Sequence, residues 1–144
     1  MVLKGIVFIH ILAATIWAGG HLVLALGFLP RALRRRDFSI IEAFESRYEP
    51  IGLPSLLILI LTGFYMAFVY TPDFFLLDWQ DHFTRHILIK FGLLLLTLGL
   101  ALHARFFLIP KKALRLLAVH ILLVTGLAVL FVLVGFSARS GGIL

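Results

Sequence analysis

The chain has 144 residues, of which 62% are hydrophobic and 14% charged. Soluble domains run near about 45–50% apolar and roughly 25% charged, and so few charges cannot cover a water-exposed surface of this size. That excludes a cytosolic enzyme, a disordered chain and a nucleic-acid module, and the formal charge of +6 reads instead as basic loops that orient a membrane protein.

A bilayer core of about 30 Å needs roughly 20 apolar residues in a helix. Four runs meet that length. The first covers about residues 5–29 and is stopped by Pro30 with Arg31, Arg34, Arg35 and Arg36. It is too long for the apolar region of a signal peptide, two histidines interrupt it and arginines follow it, so it reads as a mature helix. The second covers 51–70, stopped by Thr71-Pro72-Asp73. Ahead of it, Asp37 to Tyr48 reads as a short interfacial helix, with Phe38, Ile41, Phe44 and Tyr48 set against Glu42, Glu45 and Arg36. The third covers 87–109, stopped by Pro110-Lys111-Lys112. The fourth covers 113–136 and leads into the polar tail Ser137 to Gly142. The expected fold is all-α: an integral membrane four-helix bundle in which residues 1–144 form a single transmembrane domain.

The first loop holds five arginines, counting Arg47, and the third connection holds Lys111, Lys112 and Arg115 with Arg105 just before it. The second loop holds Asp73, Asp78, Asp81 and a single Arg85. The positive-inside rule then places loops one and three in the cytoplasm and both termini outside. Small-residue pairs, Ala14 with Ala18 and Gly63 with Ala67, offer close helix contacts; a homo-oligomer stays open.

Cysteine is absent, which excludes disulfides, thiolate metal sites, iron–sulfur clusters and covalent C-x-x-C-H haem attachment. Six histidines remain as strong metal ligands. At 1.5 Å per residue, His10 lies roughly 9 Å and His86 roughly 8 Å below the outer end. His21, His103 and His120 lie roughly 10–12 Å from the inner end. His82 falls at the outer surface. The histidines therefore form two layers. His10 and His21 are eleven residues apart and share a helix face with Trp17 between them. On the third helix His86 and Lys90 share a face, whereas His103 points about 100° away from His86. On that ground His120, and failing it His103, is the expected partner of His21, and His10 pairs with His86, or with Lys90 in its place. The metal-ligand candidates are thus His10, His86, His21 and His120.

Ionisable side chains inside a membrane are costly and usually face the bundle interior. Paired imidazoles suit the axial positions of a b-type haem, and helix bundles hold cofactors between facing helices. One haem b per layer would carry electrons across the bilayer to a redox partner or quinone, with Trp17 as a pocket wall and Arg31 and Arg105 available to haem propionates. Imidazole also suits copper(II), whereas copper(I) favours thiolate or thioether ligands. Met1 and Met66 are the only methionines, so a copper path would rest on histidine.

The segment from His10 through Trp17 to Gly19-Gly20 resembles the first-helix signature of the copper resistance protein D (CopD) family. Further similarities follow in order: Glu45-Ser-Arg47-Tyr before the second helix, Leu61-Thr62-Gly63 within it, and Leu88-Ile89-Lys90-Phe91 at the start of the third. Together they span roughly residues 6–110. This resemblance implies a bacterial inner-membrane protein linked to copper uptake or tolerance. His10, Trp17-Ala-Gly19-Gly20, Leu29-Pro30-Arg31 and Lys90 are also similar to HemJ-type protoporphyrinogen oxidases, and that resemblance implies haem binding through His10 and Lys90. The main expectation is a membrane b-type haem protein for electron transfer with one or two haems; copper handling and porphyrinogen oxidation are the alternatives.

Overall fold

The computed structural model describes residues 1–71 and 79–141. The stop at Pro72-Asp73, the acidic residues Asp73 and Asp78, and the end of the tail at Gly142 lie outside the described residues. Helices make up nearly all of the rest: α1 (Val2–Val23), α2 (Leu29–Arg35), α3 (Ser39–Tyr70), α4 (His82–His103) and α5 (Leu114–Ser140). Single π-helical turns at Leu24–Phe28 and Ala104–Leu108 prolong α1 and α4. Counting these continuations, four helical segments are long and apolar enough to cross a membrane, Val2–Arg35, Ser39–Tyr70, His82–Leu108 and Leu114–Ser140. The chain is an all-α, multi-pass membrane protein.

Helix bounds depart from the sequence reading at four places, one of them the end of α5, which continues through the expected polar tail to Ser140 because Ser137 is buried against α4. The first helix does not stop at Pro30. Pro30 falls in the first turn of α2, just past the π turn, where its missing N–H costs little. The helix ends instead at Arg36, whose φ of 53° is left-handed, and the Asp37 N–H returns to the Ala32 carbonyl. The expected interfacial helix is the first part of α3, which runs unbroken through Pro50 and Pro54; a spanning helix tolerates proline because neighbouring helices and side chains compensate for the lost backbone bonds. α4 starts at His82, earlier than expected, because Asp81 caps it: its carboxylate accepts the Thr84 backbone N–H at 2.7 Å.

α1 packs on both α3 and α5, and α5 packs on α4, but α3 and α4 have no extended contact with each other. A buried core lies at the end of the bundle that carries the basic loops. There Leu24, Leu29, Ala32, Ile41, Leu108, Leu117 and Ile121 form one buried cluster. Large apolar side chains such as Phe8, Leu26, Leu95, Phe106 and Phe136 point outward, as a lipid-facing surface requires.

One aromatic side chain sets how α1 and α3 meet. Tyr48 of α3 lies in a slot made by Gly20 of α1 and by Gly52 one turn along its own helix. A Cβ at Gly20 would collide with the Tyr48 ring, and one at Gly52 would come within 2.6 Å of it. The Tyr48 hydroxyl shares its proton between the Ile16 and Trp17 carbonyls, each at 3.1 Å.

Two histidine-lined clefts between α3 and α4

Because α3 and α4 stand apart, a groove runs between them, floored by α1 and α5. It holds two clefts. The one toward the chain termini has about 750 Å³ of open space and the one toward the basic loops about 1190 Å³. Trp17 and Leu56 line both. Side chains bridge the groove at intervals: Tyr70 stacks on Phe83 at 6.0 Å, Phe64 meets Phe91 at 4.9 Å, and Arg105 pairs with Glu49 at 3.3 Å.

His10 and Lys90 both line the terminal-end cleft, with Trp17, Phe64, Phe91 and Phe131 as apolar walls. The His10 ring runs beside Gly63, whose missing side chain leaves it room. Its Nδ1 lies 2.7 Å from the Thr62 hydroxyl. That hydroxyl already donates to the Ile58 carbonyl, so it must accept from His10 Nδ1–H. The tautomer leaves His10 Nε2 with a lone pair.

His86 is not among the residues lining that cleft. It is 1% exposed and both of its ring nitrogens are engaged. Nδ1–H donates to the His82 carbonyl at 2.6 Å, and Nε2 accepts from the buried Ser137 hydroxyl at 3.0 Å. The expected pairing of His10 with His86 is therefore not the arrangement the structure presents; it brings His10 and Lys90 to one cleft and ties His86 to α5.

The cleft toward the basic loops is lined by Trp17, His21, Glu45, Tyr48, Glu49, Arg105 and His120. The His21 ring sits edge-on to Trp17 at 4.5 Å and to Tyr48 at 6.1 Å. Both of its ring nitrogens are buried without a hydrogen-bond partner among the described residues. Thr125 meets the His21 backbone carbonyl rather than the ring. An unsatisfied buried polar group costs about 1–3 kcal/mol, so this imidazole carries a cost that no side chain among the described residues offsets.

His120 lines the same cleft, and His103 of α4, which is not one of its lining residues, meets the His120 ring. Their rings stack with centroids 4.9 Å apart, and His103 Nδ1 lies 2.8 Å from His120 Nε2. His120 Nδ1–H donates to the Leu116 carbonyl at 3.0 Å. A carbonyl can only accept, so His120 Nε2 carries the lone pair and His103 Nδ1–H donates to it. His103 Nε2 is left with a lone pair on an exposed side chain. Sequence spacing set His103 and His120 as rival partners of His21; the structure couples them directly.

Of the basic residues expected near the inner layer, Arg105 lines the cleft, while Arg31 is exposed and lines neither cleft. Thr62, Tyr48, Glu45 and Glu49 were not expected at the sites. The spacing of Glu45 and Glu49, one turn apart on a helix whose apolar run begins just after them, is the signal that points to a shared inward face. Among the described residues, no three His, Asp or Glu side chains gather as a ready-made metal cage.

The fold and its two clefts define the class: a multi-pass helical membrane protein with imidazoles set into a groove between its spanning helices. A family model described as copper resistance protein D matches residues 42–115. That is just over half of the chain, from α3 to the start of α5, and the chain belongs to this family. Neither curated proteins nor solved structures give a match.

Proposed function

We propose that this protein handles copper in the bacterial inner membrane, with both termini outside, and that His103, His120 and His21 are the residues that hold the ion as cargo. Family membership supports a relation to copper. The observation that carries the site is the His103–His120 pair, two imidazoles from different helices already in direct ring-nitrogen contact. Replacing the shared proton by a copper ion needs only a small outward movement of the two rings, because the bond they form now is close to the reach of two ligands on one metal. His21 supplies a third lone pair from the same cleft without breaking any hydrogen bond. Two or three neutral imidazoles bind copper less tightly than a thiolate cage, which suits an ion that has to leave again. Glu45 and Glu49 beside the cleft supply negative charge that favours a cation. The test is copper binding by the purified protein, measured by metal analysis and chelator competition: His120→Ala should remove most of the bound copper, and retention of full stoichiometry in both His103→Ala and His120→Ala would refute the assignment.

A second reading is haem b bound in the clefts for electron transfer, one or two per chain, with a quinone or another redox partner. The orphaned ring nitrogens of His21, in an apolar-walled cleft with Arg105 at its rim, favour it. His10 Nε2, with Lys90 opposite, would be the ligand of the other cleft. Haem would supply a one-electron centre; the chain's own residues would supply axial lone pairs and a cation for a propionate. A pyridine haemochrome spectrum distinguishes the two readings, since a copper-handling protein gives none.

A further inference from the structure

The terminal-end cleft contains a charge that nothing among the described residues balances. Lys90 lies along the groove with its Nζ against Gly135 of α5, where a Cβ would come within 3.2 Å of the amine. Gly135 is five residues before the end of α5, which places the amine roughly 8 Å inside that end of the bundle. No carboxylate lines the cleft among the described residues, and Lys90 has no hydrogen-bond or ion-pair partner among them. Arg139 is near enough for its positive charge to act on both Lys90 and His10. His10 Nδ1–H is committed to Thr62, which leaves its ring one lone pair, and the Trp17 indole N–H can only donate, so neither balances the charge. Two cations beside an apolar chamber oppose a metal ion and favour an anion.

We propose that this cleft binds the carboxylate of a single-chain amphiphile taken from the bilayer, such as a long-chain fatty acid. The Lys90 ammonium holds the acid through a charge-assisted hydrogen bond, which is strong where water is scarce. Trp17, Phe64, Phe91 and Phe131 enclose the first part of the chain, and the gap between α3 and α4 lets the remainder lie among the lipids. Depth decides for a carboxylate over a phospholipid headgroup. A diacyl phosphodiester is anchored at the membrane surface, whereas a lone carboxylate can sit a turn or two below it. The inference stands apart from the copper site, which uses other residues in the other cleft.

Trp17 lines the cleft and serves as the reporter, in a Trp79→Phe background that leaves no other tryptophan. Bromine on an acyl chain quenches tryptophan emission on contact, so 9,10-dibromostearate should quench Trp17 saturably, and oleate should reverse it. Lys90→Gln should weaken binding by about tenfold or more, while Lys90→Arg keeps it. Gly135→Leu retains the lysine but fills the place of its amine, and should weaken binding as well. This second variant keeps the test decisive if Lys90→Gln folds poorly. Equal quenching in the parent and in Lys90→Gln overturns the proposal, as does equal quenching by dibrominated phosphatidylcholine, which would report mere lipid contact. A preference for dibrominated phosphatidylglycerol would assign the cleft to a phosphate headgroup and overturn the carboxylate.

Discussion

Gly20→Ala tests how the wall of the basic-end cleft is built. The added methyl would fall on the Tyr48 ring, which is pinned on its other side by Gly52 and through its hydroxyl by the Ile16 and Trp17 carbonyls. The ring cannot turn aside without giving up those bonds. Overpacking of this kind costs about 1–3 kcal/mol, and the lost hydroxyl interaction adds about 1 kcal/mol. Offsetting this, alanine is the better helix former by about 1 kcal/mol. A net loss of about 1–3 kcal/mol corresponds to a fall in Tm of roughly 3–10 °C for a chain of this size, readable by thermal denaturation of the purified protein in detergent. A double-mutant cycle isolates the cause. In a Tyr48→Ala background the slot is empty, so Gly20→Ala should cost nothing or be slightly stabilising. Strictly additive effects, or an unchanged Tm in the single Gly20→Ala variant, would show that Tyr48 does not fill the place described. Because Tyr48 also flanks His21, the same variant should weaken copper retention if that imidazole is a ligand.

Other expectations follow from particular contacts. His86→Ala should leave copper binding unchanged but lower stability by about 1–3 kcal/mol, since it removes a buried hydrogen bond to Ser137 and leaves a cavity where the ring packed; loss of bound metal in that variant would restore His86 as a ligand. Glu49→Gln should change stability by less than about 1 kcal/mol, because its ion pair with Arg105 is solvent-accessible, and a larger fall in Tm would count against that description. Asp81→Ala should cost about 1 kcal/mol through loss of the α4 cap. The Thr84 N–H holds the Asp81 carboxyl below the usual carboxylate range, so its contribution is present above about pH 4 and is lost as pH falls through the lowered value; a parent and an Asp81→Ala variant should therefore converge in stability at acid pH, and a constant difference down to pH 2 would refute the capping role. A reporter fused at the C-terminus should be active only outside the cytoplasm, and cytoplasmic activity would reverse the proposed orientation.

Composition and four long apolar runs were enough to define a four-span helical membrane protein, because the need for internally bonded helices in lipid leaves few alternatives. Spacing along single helices was also sound. His10 and His21 do face one groove with Trp17 between them, and Lys90 does reach the cleft that His10 lines. What one helix cannot report is how far its neighbour is rotated about its own axis, or how closely the two approach. His86 shares a face with Lys90 in sequence terms, yet the packing of α4 on α5 turns it to Ser137. His103, seventeen residues along the same helix, comes within bonding distance of His120. Local signals for helix ends failed for a related reason. Pro30 read as a break, but a π turn and tertiary packing carry the helix past it, and α3 begins at Ser39, well ahead of the apolar run expected to start at residue 51. The separation of α3 from α4, which creates both clefts, depends on where glycines and rings interlock: Tyr48 between Gly20 and Gly52 draws α3 onto α1. That is a property of side chains meeting across helices, and a linear pattern of apolar residues does not encode it in readable form.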